Sequence, residues 1–190
     1  MPVIGALVVM ANDPFIYNNL DSYYAWFIVL GLIFLVTSIL PIFISWLLVK
    51  LGQVSSLTNP TEQDRKQLIL FTELFFLLAY YIFHNIPIVG KSLSLYLLGI
   101  NAAMVLALII SLFTRISLHA LGAGGILGTV IGLIYYTRFE MTPWVCGAMF
   151  LALLVGYSRY KLKAHEPGDI YIGYSIGVVA QSLVFFIGGR

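Results

Sequence analysis

Apolar runs separated by short polar breaks set the pattern of this chain. Crossing a bilayer as a helix takes about 20 apolar residues, and six runs reach or approach that length: residues 23–49, 67–83, 92–113, 118–137, 143–157 and 169–188. A membrane offers no water to unpaired backbone groups, so such runs fold as helices. The pattern predicts an all-α, polytopic bundle of six transmembrane helices in a single domain over residues 1–190. Tyr23, Tyr24 and Trp26 open the first run as an interfacial aromatic cluster, Pro41 predicts a kink within it, and Lys50 closes it. Residues 1–22, broken by Asp13-Pro14 and Asn18-Asn19, are too short in apolar length to cross and read as an interfacial or partly helical leader. The longest polar stretch, 52–66, contains Asn59-Pro60 and then Glu62 to Lys66, and reads as a loop ending in a helix start.

Inside the runs, the polar exceptions carry the information. Glu73 sits about two turns into the second run, where an acid is a candidate functional group by its cost alone, against the plainer reading of an interhelical hydrogen bond. Asn101, near the middle of the third, reads as glue between helices. The fourth run carries Ala120, Gly124, Gly128 and Gly132 four residues apart, a stripe of small side chains that lets a second helix approach at backbone distance. Gly173 and Gly177 form a second such pair in the sixth. Gly122 to Gly125 is not a phosphate loop, because it lies in an apolar helix without the Lys and Ser/Thr such a loop uses.

Composition narrows the class further. With 61% hydrophobic and 9% charged residues, the chain lies far from soluble domains, where charged residues make up about a quarter. A net charge of +2 is too small for nucleic acid, and no cleavable signal peptide precedes the first span. The one cysteine, Cys146, lies within an apolar run and allows no intrachain disulfide.

Charge is concentrated between the last two runs, in Tyr157 to Tyr174, where Arg159, Lys161, Lys163, His165, Glu166 and Asp169 crowd one membrane edge. Pro167 suits the first turn of a helix, and a helix beginning near Glu166 puts His165 and Asp169 one turn apart on one face. The carboxylate then fixes the imidazole tautomer and leaves the other ring nitrogen free to attack. Arg159 adds a planar cation suited to phosphate oxygens. Lys161 and Lys163 read most simply as side chains that snorkel to headgroups, with a weaker role in drawing anionic lipid to the site.

Ser158, Arg159, five residues, His165, three residues, Asp169 resembles the third signature of the type 2 phosphatidic acid phosphatase superfamily, in full spacing. Ile116-Ser117-Leu118-His119 is similar to that family's second signature, proline-serine-glycine-histidine, reduced to its serine and histidine. The first signature, a lysine, six residues, then arginine-proline, is absent. The resemblance implies a phosphohistidine mechanism without metal or cofactor. His165 would be the nucleophile, Asp169 its orienting group and His119 the acid on the leaving oxygen, with Arg159, Ser158 and Ser117 holding phosphate oxygens. Arg115 is the first choice to replace the missing cations, followed by Arg65 and Lys66. Alone, His119 at a helix end would read as a capping or interfacial histidine; a second histidine with its Ser-Arg and Asp neighbours reverses that weighting.

Six alternating spans bring His119, Ser158, Arg159, His165, Asp169, Arg65, Lys66 and Arg115 to one side of the membrane. That side carries Lys50, Arg65, Lys66, Arg115, Arg159, Lys161 and Lys163, against Lys91, Arg138 and Arg190 opposite. The positive-inside rule alone makes it cytoplasmic; the resemblance implies a site facing the periplasm or exterior of the inner membrane, and that is the expectation adopted. The expected function is an integral membrane phosphatase acting on a lipid or polyprenyl phosphate or diphosphate. Its phosphate would enter between the starts of spans four and six, and its partners would be the lipid phosphate substrate and membrane lipids; a homodimer is open, and the sequence does not decide whether the glycine stripes would form it. The rival is a catalytically degenerate scaffold or lipid-phosphate-binding protein of the same fold; a transporter is weaker, since no broken-helix repeat pair is visible.

Overall fold

The computed structural model describes residues 1–19, 22–57 and 60–189, and Asn59 and Arg190, which entered the sequence reading, lie outside them. Its elements are α1 (Pro2–Asn12), α2 (Pro14–Asn19), α3 (Tyr23–Phe34), a π-turn (Leu35–Ile39), α4 (Leu40–Lys50), α5 (Glu62–His84), a short 3-10 turn (Pro87–Val89), α6 (Gly90–Ile110), α7 (Leu118–Thr137), α8 (Thr142–Lys161) and α9 (Pro167–Gly188). No strand occurs among the described residues.

Five helices are long and apolar enough to cross a membrane: Tyr23–Lys50, Glu62–His84, Pro87–Ile110, Leu118–Thr137 and Pro167–Gly188. This is a membrane protein with an all-α bundle. The fifth expected span is also a helix, α8, but it falls outside this set. Its apolar run is short because polar residues from Ser158 to Lys161 continue the helix at one end while Pro143 and Trp144 open the other. The kink expected at Pro41 takes the form of the π-turn directly before it, a five-residue bulge that accommodates the missing backbone donor.

The bundle is organised around the α7–α9 pair. Added side-chain carbon at Gly124 would lie 2.5 Å from the Tyr174 carbonyl oxygen, and at Gly128 2.6 Å from that of Val178. From the other side, a carbon added at Gly173 would lie 2.7 Å from the Ser117 carbonyl oxygen, and one at Gly177 would press on that of Leu121. The two small-residue stripes therefore cover one another within the chain. α6 packs against α9 and α5, and Gln181 of α9 donates to the Tyr96 carbonyl at 3.0 Å. Asn101 bonds as expected, donating to the Phe76 carbonyl of α5 at 3.2 Å and to Leu97 of its own helix at 2.7 Å.

The leader is helical, as one side of its reading had it, and α1 packs into the bundle: Ala6, Val9 and Met10 are fully buried against α6, α7 and α3. Tyr96 donates to the Pro2 carbonyl at 2.7 Å. The apolar stretch from Pro2 to Ala11 has no polar face to distinguish a place at the interface from one inside the bundle, so the pattern could not separate the two.

Candidate active site

Three connections meet at one end of the bundle, described at residues 51–57 and 60–61, 111–117 and 162–166. Each is folded for a local reason. In the first, Asp64 on α5 accepts from Ser55 Oγ at 2.5 Å and from the Thr61 amide at 3.0 Å, pinning the loop onto the start of the helix. In the second, Ser117 caps α7, its Oγ accepting from the Ala120 amide at 3.4 Å. The third closes α8 with backbone bonds from Lys163 to Tyr160 (3.0 Å) and from Ala164 to Arg159 (3.1 Å), which put Lys163 at φ 51°, a left-handed position usually taken by glycine.

Between these connections lies a cavity of about 1040 Å³, at the upper end of the roughly 300–1,000 Å³ usual for ligand sites. α5 gives it Arg65 and Lys66; the loop before α7 gives Arg115; α7 gives His119; and the turn from α8 to α9 gives Arg159, Lys163 and His165. The structure thus gathers two histidines and five fixed cations from distant parts of the chain into one space, and among the described residues Glu62 is the lone carboxylate lining it. Among the described residues none of the five cations is in an ion pair, and the Nε of Arg159 is buried without a hydrogen-bond partner.

His165 and Asp169 meet as their spacing predicted, with Nδ1 and Oδ2 3.2 Å apart and both side chains largely buried. The geometry differs in one respect from a shared helical face. His165 lies before the helix, and Asp169, in its first turn, reaches back to accept from the Glu166 amide at 3.3 Å as well as from the ring. With Nδ1–H held by the carboxylate, Nε2 is the nitrogen left free.

The two histidines are tied together through the backbone. The Ser117 amide donates to the Asp169 carbonyl at 3.2 Å, and Gly173 brings α9 against Ser117, so the start of α7 bearing His119 is locked to the start of α9. Arg159 and His165 are both within electrostatic reach of His119. Leu118 and His119 at the start of α7 and Ala164 and His165 just before α9 all line the cavity, which therefore lies beside the starts of these two helices.

Not every expected residue reaches the cavity. Ser117 is fully buried as a helix cap, and Ser158 Oγ donates to the Val155 carbonyl of its own helix at 2.8 Å; neither lines the space. Glu73 is buried in α5 with both carboxylate oxygens unpartnered, and it too stays off the cavity. Lys161 lies over the Tyr157 ring, 5.6 Å from its centroid, at the surface, as its snorkelling reading requires. Lys163, read the same way, instead lines the cavity. Alternation with Leu162 could not reveal this, because the left-handed turn at Lys163 breaks the helical register on which the reading depended.

Beside Thr72 and Leu118, which border both spaces, a second cleft of about 170 Å³ opens between α1, α5, α6 and α7. Phe76, Ile100, Ala103, Met104 and Leu121 make it apolar. Among the described residues no group of His, Cys, Asp and Glu is arranged to hold a metal.

No curated protein and no solved structure matches the chain. Residues 111–188, from the end of α6 through α9, match the model of the PAP2 superfamily, and that segment carries both histidines, Arg159 and Asp169.

Proposed function

We propose that the protein is a multi-pass membrane phosphatase that hydrolyses a lipid or polyprenyl phosphate or diphosphate through a phosphohistidine intermediate, without metal. The match of residues 111–188 to the superfamily model supports phosphatase-type chemistry in general; the observation that carries the finer reading is the gathering of His119, Arg159 and His165 around one cation-lined cavity, with Asp169 behind His165. Nε2 of His165 attacks phosphorus as the bond to the leaving oxygen breaks, and His119 gives that oxygen its proton. His119 then takes a proton from the water that cleaves the nitrogen–phosphorus bond, releasing phosphate and restoring both rings. Arg159 and Arg115 balance charge on the transferring oxygens, where the loss of one such donor costs about 2.7–4 kcal/mol of transition-state stabilisation. The apolar cleft beside Thr72 and Leu118 takes the start of the lipid tail.

The test is phosphate release from phosphatidate, phosphatidylglycerol phosphate and polyprenyl diphosphate by purified protein, with orthovanadate as inhibitor and His165→Ala beside it. Release that vanishes in the variant while the helical content stays is the expected result; full activity in His165→Ala overturns the reading. One set of observations favours a second reading, a lipid-phosphate-binding relative without catalysis: the first signature is absent, and both Ser117 and Ser158 spend their hydroxyls on backbone. That reading predicts lipid-phosphate binding by wild type with no vanadate-sensitive release.

The site is proposed to face outward from the inner membrane. Lys163→Cys in a Cys146→Ser background, labelled by an impermeant maleimide in intact cells, is the expected outcome; labelling only after lysis reverses the orientation.

A further inference from the structure

At the end of the bundle away from the two histidines lies a second polar space that the proposed chemistry does not use. α5 begins beside the first cavity with Arg65 and Lys66 and ends at His84, and α6 begins at Gly90, so the turn joining them sits at the far end of both spans. A space of about 270 Å³ opens there. Tyr80, His84, Lys91 and Ser94 give it polar lining, and Leu95 and Leu98 are among its apolar walls. Tyr80 and His84 stand one turn apart on α5 with their rings stacked, centroids 5.2 Å apart, which holds the imidazole against the wall.

All four polar side chains can donate a hydrogen bond. Among the described residues none of the four makes a side-chain hydrogen bond or an ion pair. No carboxylate is among the described residues lining the space, and Asp13, which reaches the start of α6, is spent there on Ser92 and on the Phe15 amide. One fixed cation with three further donors suits a monoanion, and the lack of a carboxylate leaves an ammonium group unpaired. Position selects the kind of anion. His84 closes one candidate span and Lys91 lies in the first turn of the next, at the depth where lipid headgroups sit.

We infer that this space is a headgroup site for an anionic phospholipid, in the leaflet opposite the first cavity. The phosphodiester oxygens lie against Lys91 and the imidazole N–H of His84, the headgroup hydroxyls meet Tyr80 and Ser94, and the acyl chains leave past the exposed Leu98. Every lining residue precedes residue 111, and the site uses neither His119 nor His165, so it stands whether or not the protein is a phosphatase.

Delipidated full-length protein is offered equal amounts of phosphatidylglycerol and phosphatidylethanolamine with matched chains, and bound lipid is counted by native mass spectrometry. Because the first cavity is also cationic, wild type is compared with Lys91→Gln/His84→Gln and with Arg159→Gln. Wild type should retain phosphatidylglycerol about fivefold over phosphatidylethanolamine. That ratio should fall toward one in the double variant, stay near the wild-type value in Arg159→Gln, and survive Lys91→Arg. A ratio that falls no further in the double variant than in Arg159→Gln overturns the site. Displacement of bound phosphatidylglycerol from wild type by glycerol 3-phosphate would mark a soluble anion as the occupant and overturn the lipid assignment.

Discussion

At the scale of single residues, Asp169 does two jobs that substitution can separate. Its Oδ2 accepts from His165 and from the Glu166 amide, so Asp169→Asn keeps an oxygen for the helix start while weakening the hold on the imidazole. The expected outcome is near-wild-type thermal stability with a fall in kcat on the order of 10²–10⁴-fold, read from phosphate-release kinetics beside a melting curve. Lys163 poses the opposite case. Its left-handed backbone costs on the order of 1 kcal/mol that glycine would not incur, yet a lysine stands there with its side chain on the cavity. Lys163→Gly should raise the melting temperature or leave it unchanged while weakening vanadate binding several-fold. A drop in stability would show the side chain to be structural.

At the scale of elements, the α7–α9 contact is where the bundle tolerates least. Alanine at Gly128 would drive its methyl onto the Val178 backbone, and backbone cannot swing aside as a side chain can. Gly128→Ala should cost roughly 1–3 kcal/mol or more. It should also lower activity beyond the stability loss, because the same contact sets the start of α7 against the start of α9. Gly147→Ala on α8 meets nothing within 4 Å and serves as the control, neutral or slightly stabilising in the same detergent melt. The small-residue stripe was legible as a close-packing face, since four-residue spacing puts the glycines on one side of a helix. Its partner was not, because Gly173 and Gly177 announce a stripe without saying which stripe they meet.

At the scale of the whole molecule, the unpaired cations around the cavity make the empty fold self-repelling at one end. A bound oxyanion should stabilise it by about 2.7 kcal/mol at a hundred times its dissociation constant. Melting in detergent with rising vanadate should show this gain in wild type and lose most of it in Arg159→Gln. Raising salt should shrink it, since part of the attraction is screened within about 10 Å at 0.1 M ionic strength. Equal stabilisation by chloride at the same ionic strength would mean the cavity has no preference for oxyanions.

Hydrophobic length and alternation were enough to define the helices, their order and the side on which the three connections emerge, because a bilayer admits few solutions to backbone hydrogen bonding. The spacing from Ser158 to Asp169 was enough to pair His165 with its carboxylate, because both are local to one helix start. Contacts between helices far apart in the chain were beyond its reach. The burial of α1, the turning of Ser117 and Ser158 onto backbone, the packing of α7 on α9 and the arrival of Lys163 at the cavity all depend on which faces meet across the bundle. Apolar surface of one kind packs as well against lipid as against protein, so only the assembled fold could choose between them.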